Sequence, residues 1–412
     1  MNETTHQRDF DIVVLGATGF TGRLVADYLM QRYGSGGELR WAIAGRNAKK
    51  LDELRQSLGD DAAKLESIVA DTADKNALDT LASRTGVVLT TVGPYALYGS
   101  ELVNACVENG THYCDLAGEV QWIRKMIDRH HDRARETGAR IVHCCGFDSV
   151  PMDIGVWFLQ EAVREKFGNY CNSISMFVKA MKGGASGGTI ASMMNILEEG
   201  ARDREVARIM VDPYSLNPPG QRQGPDSRDQ SGAVYSADAH SWTAPFVMAT
   251  VNTKVVRRSH ALLGFPYGED FRYQEAVLTG DGLAGQLKAT AVGTGLGSVM
   301  MLGGFAPTRK LMQTLLFPEP GEGPNREQRE AGYFNLMQIG HLADGTTVRA
   351  RITGDRDPGY GSTSKMLSEC AVCLANDDLD SDGGILTPAA AMAAPLLDRL
   401  QRNAGLSFEL LD

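Results

Sequence analysis

The chain lacks the marks of several protein classes. Lysine and arginine never stand more than two in a row among its 412 residues, and the net charge is −10. A surface of that sign repels a phosphate backbone, which argues against nucleic acid as a partner. Cysteine is scarce: the seven (Cys106, Cys114, Cys144, Cys145, Cys171, Cys370, Cys373) have no scaffold-like spacing. Reduced thiols and a cytoplasmic protein are the expectation. Cys370-x-x-Cys373 has no second pair after it, so zinc would lack half its ligands, and the two read as small apolar residues inside an element. Met1 to Asp9 is polar and carries no apolar core of the kind a secretory signal needs. The length is generous for one core, so two domains are expected.

The most informative stretch that is present runs Val13-Val14-Leu15-Gly16-Ala17-Thr18-Gly19-Phe20-Thr21-Gly22-Arg23. An apolar run meets three glycines at G-x-x-G-x-x-G spacing, and an amphipathic run (Leu24, Val25, Tyr28, Leu29) follows. That is strand, tight turn, helix. Gly16 permits the turn, Gly19 lets backbone approach a diphosphate, and Gly22 lets helix and strand pack closely. The diphosphate would lie on free N–H groups at the positive end of the helix, across residues Gly16 to Gly22. The next apolar run, Trp41-Ala42-Ile43-Ala44, ends in Gly45-Arg46, where an NAD site tends to place an acid for the ribose. Gly45 leaves room, and the Arg46 guanidinium suits a 2′-phosphate, so NADP(H) is favoured.

The first part of the chain alternates apolar runs with helical patterns. Strands are predicted at 12–15, 41–44, 67–70, 87–92, 112–115 and 140–144. Such alternation means a doubly wound parallel sheet, with ligands at the carboxyl ends of its strands. One rim then carries Gly16–Gly22, Arg46, Asp71, Gly93-Pro94-Tyr95 and Gly146–Ser149. The pattern changes after about residue 150. Helices are predicted at 153–166, 189–202, 364–375 and 388–402, with a glycine-rich turn at 183–188. Asp344-Gly345 between two strand-like runs signals a hairpin. Two Pro/Gly-rich loops stand at 212–232 and 318–331; the first holds Pro213, Pro218, Pro219 and Pro225 and reads as a mobile segment or a lid. Ala289 to Thr308 has no charged residue but five glycines. It is a buried or partly buried segment, a surface that meets lipid or a membrane face, or, least well matched, a membrane span.

Several blocks fit together: Gly16-Ala-Thr-Gly-Phe-Thr-Gly22, Ala44-Gly-Arg46, Val92-Gly-Pro-Tyr95, Tyr98-Gly-Ser100, Gly110-Thr-His-Tyr-Cys-Asp-Leu-Ala-Gly-Glu119 and Gly146-Phe-Asp-Ser-Val-Pro151. The chain resembles the saccharopine dehydrogenase-like oxidoreductases, and within them the trans-acting enoyl reductase branch. The likeness is strong over residues 1–155 and weaker through Gly361–Cys370 and Gly384–Ala389. It implies an α/β protein: a Rossmann-type doubly wound parallel sheet, a second α/β domain with a mixed sheet, and a C-terminal helix packing back on the first domain. The expected division is 1–152 for NADP, 153–384 for substrate or oligomerisation, and 385–412 for the returning helical segment. The branch implies reduction of a double bond in a polyketide or lipid precursor, and association with membranes or lipid. A lipid-like small molecule is therefore the expected substrate. A homodimer and peripheral membrane contact through 289–308 stay open.

Hydride transfer is the cofactor's chemistry; the protein must aim it, polarise the acceptor and supply a proton. None of the 12 tyrosines has lysine four positions on, which counts against a standard short-chain dehydrogenase. The candidates are therefore polar groups on the rim. Tyr95 could donate a proton or pack under the cofactor. Asp115 and Glu119 could act as buried acids or as helix N-terminal carboxylates. Asp148 and Ser149 could face the nicotinamide or cap the next helix. His143 reads as a core histidine. Two classes remain: an NADPH-dependent reductase, with an imine or amino-acid reductase as its variant, and a non-catalytic NADP-binding protein.

Overall fold

The structure, a computed structural model, describes residues 8–184, 187–305, 307–308 and 323–411. Two sheets dominate it. The first is parallel and takes β1 (Phe10–Leu15), β2 (Trp41–Gly45), β3 (Glu66–Val69), β4 (Thr85–Thr90), β5 (His112–Cys114), β6 (Arg140–Val142) and, far downstream, β13 (Gly384–Leu386). Their order is β13-β6-β5-β4-β1-β2-β3. Between them run α1 (Phe20–Tyr33), α2 (Ala48–Ser57), α3 (Lys75–Ser83), α4 (Tyr95–Tyr98), α5 (Ser100–Glu108) and α6 (Val120–Thr137). Ile12, Val13, Val14, Ala42, Ile43, Val87, Val88 and Leu89 are wholly buried, as strands covered on both faces must be.

The second sheet is mixed: β14-β12-β11-β7-β10-β9-β8. Its strands are β7 (Ser173–Lys182), β8 (Val234–Ser236), β9 (Ser241–Pro245), β10 (Arg272–Gly280), β11 (Tyr333–His341), β12 (Thr347–Gly354) and β14 (Leu406–Leu410). Only β7 and β10 pair in parallel. The hairpin read from Asp344-Gly345 is present, with Gly345 at φ +89°. The helices here are α7 (Val150–Phe167), α8 (Gly187–Arg202), α9 (Arg204–Val211), α10 (Ala249–Leu262), α11 (Gly282–Gly303), α12 (Arg326–Glu330), α13 (Thr363–Asn376) and α14 (Pro388–Arg402). One continuous apolar cluster runs from Ile12 and Ile43 through Val156, Leu367 and Leu396 to Leu336 and Ile352, joining the sheets.

Three features depart from the sequence reading. The segment after residue 385 does more than return a helix: β14 pairs with β12 of the second sheet. The 212–232 segment is neither lid nor loose loop at its start. Tyr214, Ser215, Leu216 and Asn217 are buried. Arg257 donates to Asp226 (2.6 Å), Pro213 O (3.2 Å) and Tyr273 O (2.9 Å). Arg258 donates to the carbonyls of Leu216 and Ile385, and Arg124 to Ser215 O. A buried carbonyl left without a donor costs about 1–3 kcal/mol, so these arginines fix the segment inward. The 318–331 loop lies in part outside the described residues, and 326–330 of it is the short α12.

The described part of the uncharged 289–308 run is partly buried. It forms most of α11, whose inner stripe is small: Gly285, Ala289, Gly293 and Gly303. A Cβ on Gly285 would lie 2.0 Å from Gly280 O, and one on Gly303 2.5 Å from Leu197, so the helix sits backbone-close on its neighbours. Its large side chains point outward instead: Leu283 is 71% exposed, Leu287 61%, Met301 66% and Phe305 just beyond it 65%. No helix among the described residues is long and apolar enough to cross a membrane.

Candidate active site

The first turn after β1 is built from backbone. Gly16 takes φ +86°, a region closed to most side chains. Its N–H and that of Ala17 both donate to Ala44 O (3.0 and 3.2 Å), and Gly19 N closes on Gly16 O at 2.9 Å. α1 then starts from Gly19 with no side-chain cap and no acid in its first turn. Its leading N–H groups, from Phe20 to Gly22, are thus left for a ligand. Gly22 faces back on the turn: a Cβ there would lie 2.2 Å from Gly16 O. Uncapped N–H groups over a cradle that only glycine fits suit the diphosphate of a dinucleotide. Ala17 is buried under the turn, and Thr18 O accepts from Arg23 Nε at 3.1 Å.

Arg46 follows β2 exposed, and Asn47 behind it caps α2 by accepting from Lys50 N at 3.0 Å. Among the described residues Arg46 has no hydrogen-bond or ion-pair partner, so its guanidinium is available to a 2′-phosphate. Asp71 stands at the end of β3, where its carboxylate accepts from Ala73 N at 3.0 Å and closes its own turn.

Beyond β4, Gly93 and Pro94 lead into α4. The Tyr95 ring is 3% exposed and stacks on Trp122 at 5.6 Å between centroids. Its hydroxyl donates to Thr90 O at 3.2 Å, and burial, then Asp115, push its pKa well above the usual range. That makes it a packing residue beneath the rim. Asp115 is likewise internal. Its carboxylate accepts from Tyr113 Oη (2.8 Å), Ala117 N (3.0 Å) and Cys144 N (3.2 Å), and pairs with His143 Nδ1 at 2.7 Å. Those partners make it a hub that holds β5 and β6 in register.

Asp148 differs from both. It sits half-buried on the loop between β6 and α7, and no partner holds its carboxylate among the described residues. Burial alone lifts its pKa to about 6. Its neighbours are pinned on two sides: Phe147 N donates to Thr363 Oγ1 on α13 at 2.9 Å, and Ser149 Oγ to Asn252 Oδ1 on α10 at 3.2 Å. Asn252 Nδ2 in turn donates to Glu275 at 3.0 Å, which also accepts from Tyr273 Oη at 2.9 Å.

The second domain reaches the same rim. Phe20 meets Tyr360 edge-on at 5.1 Å, with the Arg329 guanidinium 5.7 Å from its ring. Gly183 and Gly184, after β7, pack against Pro358 and Pro324. Ser192 on α8 donates to Glu119 at 3.0 Å. Sequence reasoning gave no sign of Ser192, Asn252 or Glu275, since none belongs to a motif. A cavity of about 300 Å³ opens elsewhere, between Ser173, Arg272, Glu275 and His341. It lies at the opposite end of β7 from Gly183, about 30 Å away by strand rise, and so is not the cofactor site.

The model of the saccharopine dehydrogenase NADP binding domain matches residues 12–142. A Mycobacterium tuberculosis protein provisionally named a trans-acting enoyl reductase is 42% identical over 98% of both chains. The chain belongs to the saccharopine dehydrogenase-like family, in its trans-acting enoyl reductase branch. Further trans-acting enoyl reductases, from M. tuberculosis and M. leprae, are 38% and 36% identical, each over 96% of both chains. Among solved structures, saccharopine dehydrogenase (L-Glu forming) from Saccharomyces cerevisiae superposes with a TM-score of 0.51 at 12% identity, covering 97% of this chain and 99% of its own. At that identity it shows the fold alone. This family member is an NADP-dependent oxidoreductase.

Proposed function

We propose that this reductase saturates a carbon–carbon double bond conjugated to a carbonyl, in a lipid or polyketide precursor, with Asp148 as the proton donor. The observation that carries the reading is the unpartnered Asp148 carboxyl, lifted to about 6 on the rim loop. NADPH, when bound, supplies the hydride, and Arg46 and the first turn of α1 would hold it. Asp148 in its protonated form gives its proton to the carbon next to the carbonyl, is left as carboxylate, and regains a proton from solvent through its open side. One hydride and one proton account for both atoms added. The names of the mycobacterial relatives support the enoyl acceptor. An imine acceptor carrying carboxylates would call for free cations, whereas Arg257 and Arg258 are buried and engaged.

Turnover of a panel of 2-enoyl thioesters, followed by NADPH oxidation, tests this. The rate is expected to fall tenfold per unit above about pH 6. Asp148→Asn is expected to lose that limb and about 10²–10⁴ in kcat, with NADPH affinity kept. Reduction of imines but of no enoyl thioester would overturn it.

The outward face of α11 supports a second part of the reading, a peripheral contact with lipid. Its exposed apolar side chains make a patch on the order of several hundred Å², at the upper end for a free monomer. Flotation with liposomes should carry the chain upward, and Leu287→Glu with Met301→Glu should abolish it; a chain that stays below in both forms refutes the contact.

A further inference from the structure

Glu119 is wholly buried, and its carboxylate gathers three donors from two domains. Oε1 accepts from Tyr95 N at 2.7 Å and from Ser192 Oγ at 3.0 Å; Oε2 accepts from Ala96 N at 2.9 Å. Tyr95 and Ala96 open α4, so their N–H groups have no acceptor within the helix. Glu119, at the start of α6, serves them from a distance. The segment it fixes, Gly93-Pro94-Tyr95, is the part of the rim nearest the fourth strand.

Ser192 brings in the second domain. A Cβ on Gly93 would lie 3.9 Å from its hydroxyl, so α8 passes directly over the rim at this point. Elsewhere α8 is held by apolar contact, with Met194 and Leu197 packing against Val299 of α11, and by a 4.0 Å ion pair between Lys125 and Glu199. Ser192 to Glu119 is a short hydrogen bond tying an α8 side chain to the first domain, beside the looser ion pair of Glu199 with Lys125 of α6. Burial raises the pKa of Glu119 above the usual carboxylate range, and the three donors offset only part of that rise.

We infer that Glu119 is a positioning residue that couples the seating of α8 to occupancy of the cofactor groove, with Ser192 as the second-domain half of the link. A cofactor lying along Gly93–Tyr95 orders the α4 N–H groups, Glu119 follows them, and Ser192 draws α8 down. Coupling of this kind is reciprocal, so an unseated α8 weakens cofactor binding by the same factor. One hydrogen bond to a charged acceptor sets that factor at about tenfold. The inference rests on the cofactor lying along Gly93–Tyr95.

Hydrogen exchange with and without NADPH tests it. In the unmodified chain NADPH should slow exchange in residues 93–98 and in 191–202. In Ser192→Ala it should slow 93–98 only, and Ser192→Thr should restore protection of 191–202. Glu119→Gln offers one oxygen to three donors and should weaken NADPH about tenfold. If it does not fold, Ser192→Ala carries the test. Equal protection of 191–202 in Ser192→Ala and the unmodified chain would overturn the coupling. NADPH that binds tightly yet leaves 93–98 unprotected would instead overturn the placement of the cofactor.

Discussion

Replacing Gly22 with alanine sets two effects against each other. Gly22 lies in the first turn of α1, and alanine there gains up to about 1 kcal/mol in helix propensity. The new Cβ would meet Gly16 O at 2.2 Å, and Ala17 Cα and Gly16 C at 2.8 Å. All three are backbone atoms, so no side chain can swing aside. Ordinary contact requires roughly 1 Å more room, and overpacking on that scale costs about 1–3 kcal/mol. The helix must then lift from β1, against the buried Val25, Ala26 and Leu29. We expect a net loss of about 1–2 kcal/mol in stability by chemical denaturation. The cofactor should suffer more, because the same shift moves the N–H groups of Phe20 to Gly22 off the diphosphate. Two charge-assisted hydrogen bonds lengthened by about 1 Å should weaken NADPH at least tenfold in a fluorescence titration. Gly295→Ala is the control. It sits exposed on α11 with no atom within 4 Å of the added carbon, and should gain about 0.5–1 kcal/mol with NADPH affinity unchanged. A Gly22→Ala chain that binds NADPH as the parent does would refute the assignment of this turn to the diphosphate.

Arg46→Asp should weaken NADPH by about 1.5–3 kcal/mol and NADH by far less; equal affinity of the unmodified chain for both would remove Arg46 from the 2′-phosphate. Stability should peak in weakly acidic solution. Burial lifts Asp148 to about 6, Asp153 to about 7 and Glu275 to about 8. The folded chain therefore keeps protons that the unfolded chain has released, and stability falls as pH rises from about 4 toward 8. His112, held near 4 by burial, acts the other way, so its contribution is lost as pH falls from 6.5 toward 4. Glu275→Gln mimics the protonated acid and should remove about 1.5 kcal/mol of the decline between pH 7 and 9, read from denaturant midpoints. An unchanged decline would show that Glu275 ionises as an ordinary carboxylate.

The parallel half was legible because its strands are unbroken apolar runs and its turns carry glycine. The stretch from 234 to 303 was not. α10 buries Lys254, Arg257, Arg258 and His260, so no apolar stripe marks it as a core helix. α11 inverts the usual signal, with glycine and alanine inside and leucine, methionine and phenylalanine outside. A pattern read on hydrophobicity alone takes such a helix for buried. β8 and β13 span three residues each, too few for any period to show. At the site, sequence placed Tyr95, Asp115 and Asp148 on one rim, but the direction of each side chain is a tertiary fact. Tyr95 turns to Thr90 O and Asp115 to Tyr113 and His143, and only Asp148 stays unengaged.

The path of the C-terminal segment limits how this cleft can close. β13 pairs with β6 of the first sheet, α14 follows at once, and β14 pairs with β12 of the second. A rotation of one sheet against the other is resisted by a segment paired at both its ends. It would also have to open the apolar cluster that runs from Ile12 to Ile352. Even two exposed leucine-sized side chains cost about 3–6 kcal/mol, comparable with the whole stability of a domain. Hinge closure about a flexible linker is opposed on both counts, and we expect the motion to be local, in α8. Small-angle scattering should then give the same radius of gyration with and without saturating NADPH, while hydrogen exchange changes in α8. A contraction of the whole chain on binding would show that the two sheets do move as bodies, and the stitching by β13 and β14 would not be the constraint argued for it.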